Sequence, residues 1–139
     1  MSSAPDTSAP ATRPAYLRPA MVGLVAAGGM VGTLARAALG QALPHEPATW
    51  PWLTLIVNLV GAFVLAVLLE SLGRLRRGSV PLRLALGTGV LGGFTTYSAF
   101  AVETRDLLAG GQVWLALAYV LASLLGGQLI AMLGLRVAR

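Results

Sequence analysis

The chain has 139 residues, the length of a single domain. Hydrophobic residues make up 56% of it, charged residues only 11%, and the mean hydropathy is +0.76. Soluble domains carry about 25% charged residues, so this composition excludes an ordinary soluble domain and indicates an integral membrane protein. There is no cysteine, which excludes a disulfide framework, a thiolate metal site and a cysteine nucleophile. The net charge of +5 comes from arginines that border apolar stretches, a pattern that indicates membrane orientation rather than nucleic-acid binding.

The chain begins with a polar segment, which four apolar stretches follow. Residues 1–16 are rich in Ser, Ala, Pro and Thr and predict a disordered N-terminal tail. Each apolar stretch reaches the roughly 20 residues that a membrane-spanning helix needs. The stretches cover about 17–43, 52–72, 80–108 and 113–135. The sequence therefore predicts an all-α integral membrane domain over residues 17–139, with four transmembrane helices joined by short loops.

The first apolar stretch is also compatible with a cleaved signal peptide. Arg13 and Arg18 precede it, and Ala35-Arg36-Ala37 resembles a small-residue cleavage site. Cleavage would leave three membrane helices. The many glycines of the stretch, and the charged side chain in the middle of the cleavage motif, favour a helix that is retained.

The distribution of arginines predicts how the helices are oriented. If the N-terminus is cytoplasmic, only Arg36 and Arg105 fall on the outside. The other eight arginines fall on the inside: Arg13, Arg18, Arg74, Arg76, Arg77, Arg83, Arg136 and Arg139. Because Lys and Arg accumulate in cytoplasmic loops, both termini are predicted to lie in the cytoplasm.

The third stretch contains the segment GGFTTYSAF, residues 92–100, near its middle. Gly is about 1 kcal/mol less favourable than Ala inside a helix, and threonine hydroxyls compete for backbone hydrogen bonds. We therefore expect the helix to open within GTGVLGGFTT, residues 87–96, with residues 92–95 unwound. Backbone groups exposed in the middle of a membrane are tolerated where they line a polar cavity, so an ion site is expected there. Close helix packing through these glycines is the alternative.

Other polar residues support an ion site within the membrane. Asn58 lies inside the second apolar stretch, and buried amides in lipid usually face the interior of a bundle; a purely structural interhelical hydrogen bond is the alternative. Tyr119 and Ser123 share a face of the fourth helix because they are spaced i, i+4. Arg36, late in the first helix, either extends its charged end to the interface or sets a positive potential at the mouth of a pathway.

Two further features concern contacts between helices. Gly28 and Gly32 have the small-xxx-small spacing that predicts close packing of the first helix. Glu103, near the outer end of the third helix, is expected to pair with Arg105 or Arg36, or to take a functional role itself.

These motifs resemble the Fluc (CrcB) family of fluoride channels across all four helices. Three elements of the family pattern are present: a glycine-rich first helix that ends in Arg, a T-x-x-x-N-x-x-G element in the second helix, and a GGxTTFSTF motif followed by Glu in the third. They are matched in turn by GGMVGTLAR (28–36), by Thr54, Asn58 and Gly61, and by GGFTTYSAF (92–100) with Glu103.

The resemblance implies an antiparallel, dual-topology dimer of four-helix subunits with two fluoride pores, in the plasma or inner membrane of a prokaryote. Its function would be passive export that lowers cytoplasmic fluoride, without enzymatic activity. A structural sodium ion at the dimer centre would be bound by the main-chain carbonyls of Gly92 and Thr95. The residues implied in the fluoride pathway are Asn58, Tyr97, Phe100, Thr96, Ser98, Tyr119, Ser123 and Arg36.

Two features depart from the family pattern. Tyr97 replaces the first family Phe and adds a hydroxyl to a ring whose edge would face the ion. The bias of eight arginines against two also differs from the balanced distribution that dual topology requires. We therefore expect the chain to insert with one orientation and to pair with a homologous subunit of the opposite orientation, with a homodimer as the alternative.

Other functions fit the sequence less well. A small-cation or drug antiporter needs a carboxylate in the middle of the membrane, whereas Glu70 and Glu103 lie near helix ends. A non-conducting structural subunit would use Asn58 and the helix break only for packing. An enzyme is not expected, because the sequence contains no nucleophile–base pair, metal cluster or phosphate loop.

Overall fold

The structure of the chain, a computed structural model, describes residues 16, 18–44, 46, 48–74 and 80–139. All regular secondary structure in these ranges is helical, which confirms the predicted all-α class for them. The elements in chain order are α1 (Pro19–Ala42), α2 (Trp52–Arg74), α3 (Val80–Leu82), a π-helix (Arg83–Leu91), α4 (Gly92–Phe94), α5 (Tyr97–Ala109) and α6 (Val113–Val137). The predicted tail lies outside the described residues except for Tyr16.

Three of these helices, α1, α2 and α6, are long and apolar enough to cross a membrane. Their bounds agree to within a few residues with the first, second and fourth predicted spans. Large apolar side chains are exposed on each of them, among them Met30, Leu34, Ile56, Leu125 and Leu129. A helix that is apolar on all its faces needs nonpolar surroundings, so the outer surface of the molecule is suited to lipid or to another subunit.

The third apolar stretch is helical in two parts. α3, the π-helix and α4 follow one another over residues 80–94, and α5 begins after Thr95 and Thr96. These two threonines have extended backbones, with φ −74° and ψ 157° at Thr95 and φ −146° and ψ 124° at Thr96. The interruption therefore lies within the predicted segment, residues 87–96, at Thr95 and Thr96. Gly92 and Gly93, which were expected to unwind with Thr95, are helical instead.

Packing against α1 explains why Gly93 stays helical. A Cβ atom on Gly93 would lie 2.4 Å from the carbonyl oxygen of Gly29, and a Cβ atom on Gly32 would lie 2.0 Å from that of Val90. The glycines thus let two helix backbones touch, and this contact outweighs their weak helix propensity. The close packing predicted for Gly28 and Gly32 is confirmed.

α2 and α6 lie side by side and run in the same direction. Gly126 of α6 faces Leu59 of α2, and further along both helices the Nη1 group of Arg74 donates a hydrogen bond to the carbonyl oxygen of Arg139. The C-terminal ends of α2 and α6 therefore meet at one end of the molecule.

Residues 80–94 run antiparallel to α2 and parallel to α1. Gly87 faces Leu65 of α2, whereas Thr96, later in the third stretch, meets Asn58, which is earlier in α2. One end of the bundle therefore holds the start of α1, the end of α2, the start of α3 and the end of α6. The opposite end holds the starts of α2 and α6 and the end of α5.

Candidate functional site

Asn58 of α2 holds the helix break through two hydrogen bonds to a single residue. Its Nδ2 group donates to the carbonyl oxygen of Thr96 at 3.0 Å, and its Oδ1 accepts from the backbone amide of Thr96 at 2.8 Å. Both backbone groups of Thr96 are thereby satisfied outside a helix. Because unpaired backbone groups are costly in an apolar environment, this pair of bonds is what makes the interruption tolerable within the bundle.

One face of α2 supplies three contacts to the second half of the third stretch. Thr54 donates its hydroxyl to the Oε1 atom of Glu103 at 2.5 Å, and Asn58, one turn later, bonds to the break. Gly61 lies one turn further on, where a Cβ atom would come within 2.2 Å of the Cγ2 atom of Thr95. The T-x-x-x-N-x-x-G element is therefore the surface of α2 against which the break is packed.

The two threonines also form local hydrogen bonds. The backbone amide and the hydroxyl of Thr95 both donate to the carbonyl oxygen of Leu91, at 2.9 and 2.8 Å. The hydroxyl of Thr96 accepts from the amide of Ala99 at 3.1 Å and so caps the N-terminus of α5. It also lies 3.1 Å from the hydroxyl of Ser98. α5 thus begins as a separate, capped helix.

The break leaves two backbone carbonyl oxygens without their usual helical partners. In a continuous helix, the carbonyls of Gly92 and Thr95 would accept hydrogen bonds from the amides of Thr96 and Ala99. Instead, these amides donate to Asn58 and to the Thr96 hydroxyl. Gly92 is itself helical, but main-chain carbonyls whose helical partners bond elsewhere can coordinate Na⁺, so these two oxygens are chemically compatible with the expected sodium ligands. No group of three or more His, Cys, Asp or Glu side chains among the described residues could hold a metal.

A cavity of about 420 Å³ lies beside the break. Seven of the residues that line it are predicted site residues: Asn58, Gly92, Thr95, Thr96, Tyr97, Phe100 and Ser123. These residues come from α2, from both sides of the break and from α6. Of the remaining predicted residues, Ser98 adjoins the cavity through Thr96, whereas Tyr119 and Arg36 lie elsewhere.

Four aromatic rings form a row that leads inward from the cavity. The ring centroids are 5.9 Å apart between Tyr97 and Phe100, 5.2 Å between Phe100 and Tyr119, and 5.9 Å between Tyr119 and Trp50. Tyr97 is 80% exposed, whereas Tyr119 is fully buried. Tyr119 therefore supports Phe100 from behind and does not line the cavity. Trp50, which no sequence motif indicated, precedes α2 and ends the row.

Glu103 joins three helices through its two carboxylate oxygens. Oε1 accepts from the hydroxyl of Thr54 on α2, and Oε2 accepts from the phenol of Tyr119 on α6 at 2.7 Å. Hydrogen bonds to a charged group are about twice as strong as neutral ones, so this link fixes α5 between α2 and α6. The sequence did not decide the role of Glu103. It did place a carboxylate inside an apolar stretch, and such a group needs partners within the bundle.

Of the roles considered for Glu103, pairing with Arg105 or Arg36 is not observed, because both arginines bond elsewhere. Arg105 donates to the adjacent Asp106, with 2.6 Å from Nη2 to Oδ1. The Nε group of Arg36 points to the carbonyl oxygen of Gly93 at 3.4 Å. The hydroxyls of α2 and α6 are closer to Glu103, and Arg36 instead reaches the backbone just before the break.

A second pocket, of about 240 Å³, lies on the other side of Thr96. Its polar lining consists of Arg36, Thr54, Thr96 and Glu103. Thr96 is the residue that borders both this pocket and the cavity beside the break. The predicted residue Arg36 and the cavity are therefore separated by the break itself.

A bundle with apolar outer faces, whose polar side chains surround an internal helix break, defines a multi-pass membrane protein with a polar interior region. Comparison with known sequences narrows this class. The chain belongs to the CrcB family, because the family model described as "CrcB-like protein, Camphor Resistance (CrcB)" matches residues 23–135. The assignment made from the motifs is thereby confirmed.

Several bacterial proteins are similar to most of the chain. "Fluoride-specific ion channel FluC 1" of Cutibacterium acnes is 50% identical over 117 residues, 82% of either chain. "Fluoride-specific ion channel FluC 2" of Moorella thermoacetica is 48% identical over 113 residues, 79% of this chain and 89% of the relative. "Fluoride-specific ion channel FluC" of Thermus thermophilus is 46% identical over 115 residues, 81% and 89%. The family is thus one of ion channels rather than enzymes, and the chain is a multi-pass prokaryotic membrane protein.

Proposed function

We propose that the chain forms a fluoride-specific channel that lowers cytoplasmic fluoride by passive export. The observation that carries the proposal is the cavity beside the break, which is lined by Asn58, Thr96, Tyr97, Phe100 and Ser123. The similar proteins are named as fluoride-specific ion channels, and these five residues are among those that the resemblance implied in the fluoride pathway.

The cavity offers the donors that a small, tightly hydrated anion needs in place of its water shell. Asn58 carries a second N–H on Nδ2 beyond the one bonded to Thr96. Ser123 brings a hydroxyl, and the edges of the Tyr97 and Phe100 rings carry partial positive charge. The described lining of the cavity includes no cationic side chain, so an anion is held weakly enough to be released.

The route of the ion passes Thr96, because this residue borders both pockets. In the second pocket the guanidinium of Arg36 attracts anions from the aqueous side. The carboxylate of Glu103 faces the same pocket but accepts hydrogen bonds from Thr54 and Tyr119, which offset part of its negative charge. An anion can therefore approach Thr96 although a carboxylate is nearby.

In the proposed arrangement the third crossing of the membrane consists of residues 80–94 and α5. At about 1.5 Å per residue, the 13 residues of α5 extend about 20 Å and residues 80–94 about 22 Å. Together they exceed the roughly 30 Å of hydrocarbon, so a tilted crossing places Thr95 and Thr96 near its middle. Four crossings then put both ends of the chain on one side.

The functional unit is proposed to be an antiparallel dimer with a central sodium ion. Tyr97, at the mouth of the cavity, is 80% exposed and needs a covering surface. An inverted second subunit would supply that surface and bring a second set of Gly92 and Thr95 carbonyls beside the first. Sodium bound there would offset the negative ends of these carbonyl dipoles. Replacing Na⁺ by N-methylglucamine during purification is expected to dissociate the dimer; an unchanged dimer would argue against the ion.

The test of the proposed function is anion flux from liposomes that contain the purified protein. Fluoride is expected to leave and chloride to remain. Phe100→Ile is expected to reduce fluoride flux, because its ring lines the cavity. The matched variant Phe63→Ile changes a phenylalanine of α2 outside the cavity and is expected to leave the flux unchanged. Equal flux in all three proteins, or cation flux coupled to protons, would contradict the proposal.

The identity of the partner is tested by the sidedness of a C-terminal tag. The arginine bias of eight to two favours a single orientation, so labelling from one face only is expected. The purified chain would then conduct only when a homologous subunit is expressed with it. Equal labelling from both faces, with flux from the chain alone, would instead establish a homodimer.

A further inference from the structure

Five arginines from four chain segments gather at one end of the bundle. This arginine-rich end consists of Arg18, Arg74, Arg83, Arg136 and Arg139, all of them exposed. It is formed where α1 and α3 begin and where α2 and α6 end. The acidic residue described at this end is Glu70, which bonds to Arg74 with 3.3 Å between Oε1 and Nε. The end therefore carries a clear excess of positive charge.

The opposite end of the bundle lacks this excess among the described residues. There, Arg105 is paired with Asp106, and Glu46 adds a negative charge. At the arginine-rich end, by contrast, the side chain of Arg74 remains 51% exposed despite its contact with Glu70. Its hydrogen bond to the carbonyl oxygen of Arg139 holds the ends of α2 and α6 together. The guanidinium of Arg74 thereby lies at the C-terminal end of α6, at the rim of the apolar surface.

We propose that the arginine-rich end binds the phosphodiester headgroup of an anionic phospholipid. Planar guanidinium groups match phosphate oxygens in a bidentate way, and basic clusters at the ends of membrane helices attract anionic lipids. The surface beside the charges favours a lipid over a free anion. Leu133 and Val137 of α6, which flank Arg136, are 47% and 65% exposed and offer contact to an acyl chain.

The test compares lipids retained by the full-length protein, counted by native mass spectrometry after purification in detergent. Phosphatidylglycerol is expected to be retained in preference to phosphatidylcholine. Each arginine near an anionic surface contributes about fivefold to affinity, so Arg83→Gln combined with Arg136→Gln is expected to weaken retention about 25-fold. This pair avoids the hydrogen bond between Arg74 and Arg139. Arg105→Gln, at the opposite end, is the matched control and is expected to retain the lipid.

A second arm separates a lipid site from an anion site. Phosphatidylglycerol is expected to raise the Tm of the wild-type chain in detergent, whereas inorganic phosphate at the same concentration is not. Equal shifts from both would assign the site to free anions and overturn the proposal. Equal retention of the two lipids, or an unchanged count in the double variant, would show that the arginines serve membrane orientation alone. None of these readouts depends on fluoride flux.

Discussion

Replacing Asn58 by aspartate is expected to abolish fluoride conduction while leaving the helix break in place. The aspartate keeps an oxygen at the position of Oδ1, which accepts from the amide of Thr96 at 2.8 Å. It loses the Nδ2 group, which donates to the carbonyl of Thr96 at 3.0 Å. It also adds a negative charge to the lining of the cavity. The substitution therefore separates the structural role of Asn58 from its role toward an ion.

The two effects differ in size. The lost donor leaves the Thr96 carbonyl unpaired, which lowers the free energy of unfolding by about 1–3 kcal/mol. A unit charge about 4 Å from a passing anion repels it by about 4 kcal/mol at an effective dielectric constant of 20. This repulsion reduces the occupancy of the cavity by about 1,000-fold. Conduction should thus fall far more than the loss of stability alone explains.

The assay measures fluoride efflux with an electrode and, on the same samples, the free energy of unfolding. Gln112→Glu is a matched control, because its Nε2 group also donates to a backbone carbonyl, that of Ala48 at 2.7 Å, but lies outside the cavity. Because this hydrogen bond is exposed, the control should lose less stability than Asn58→Asp and keep its flux. A folded Asn58→Asp protein that conducts within tenfold of wild type would refute the reasoning, as would an equal loss of flux in the control.

Three further changes test the packing around the break. Gly32→Ala is expected to lower the free energy of unfolding by about 1–3 kcal/mol through overpacking, whereas Gly40→Ala, with open space at its Cβ, should raise it by up to about 1 kcal/mol; equal effects would contradict the backbone contact. Thr96→Ala is expected to cost about 1 kcal/mol from the lost helix cap, and Thr96→Ser to restore it in the same unfolding assay. Glu103→Gln should cost about 1.5–3 kcal/mol and be non-additive with Tyr119→Phe in a double-mutant cycle; additivity would argue against their hydrogen bond.

The helical class and three of the spans could be predicted from the sequence, because long apolar runs are a local property of the chain. The segment that contains the break, residues 87–96, was also indicated, but the position of the break within it was not. Helix propensity included Gly93 in the opening, but this glycine lies against the backbone of α1, and that tertiary contact is not visible in the sequence. The π-helix of Arg83–Leu91 was likewise not predicted, because the apolar pattern there fits an ordinary α-helix equally well.

The sequence predicted the residues of the candidate site better than it predicted the hydrogen bonds between them. The family motifs indicated Asn58, and its amide was interpreted either as part of an ion site or as a structural hydrogen bond between helices. It forms the interhelical hydrogen bonds of a structural residue and also lines the cavity. The partners of Glu103 could not be found from the sequence, because Thr54 and Tyr119 lie on other helices and meet it only once the bundle has formed.

The hydrogen bonds between Asn58 and the break have a consequence for the biogenesis of the protein. Ribosomal synthesis delivers α2 to the bilayer before the third stretch has emerged. When Thr96 follows, its amide and its carbonyl can both bond to the side chain of Asn58, which is already present. The irregular backbone therefore does not have to enter the hydrocarbon without hydrogen-bond partners. Each unsatisfied backbone group would otherwise oppose its insertion. Because Asn58 is synthesised before Thr96, the order of the chain itself favours insertion of the helix break into the membrane.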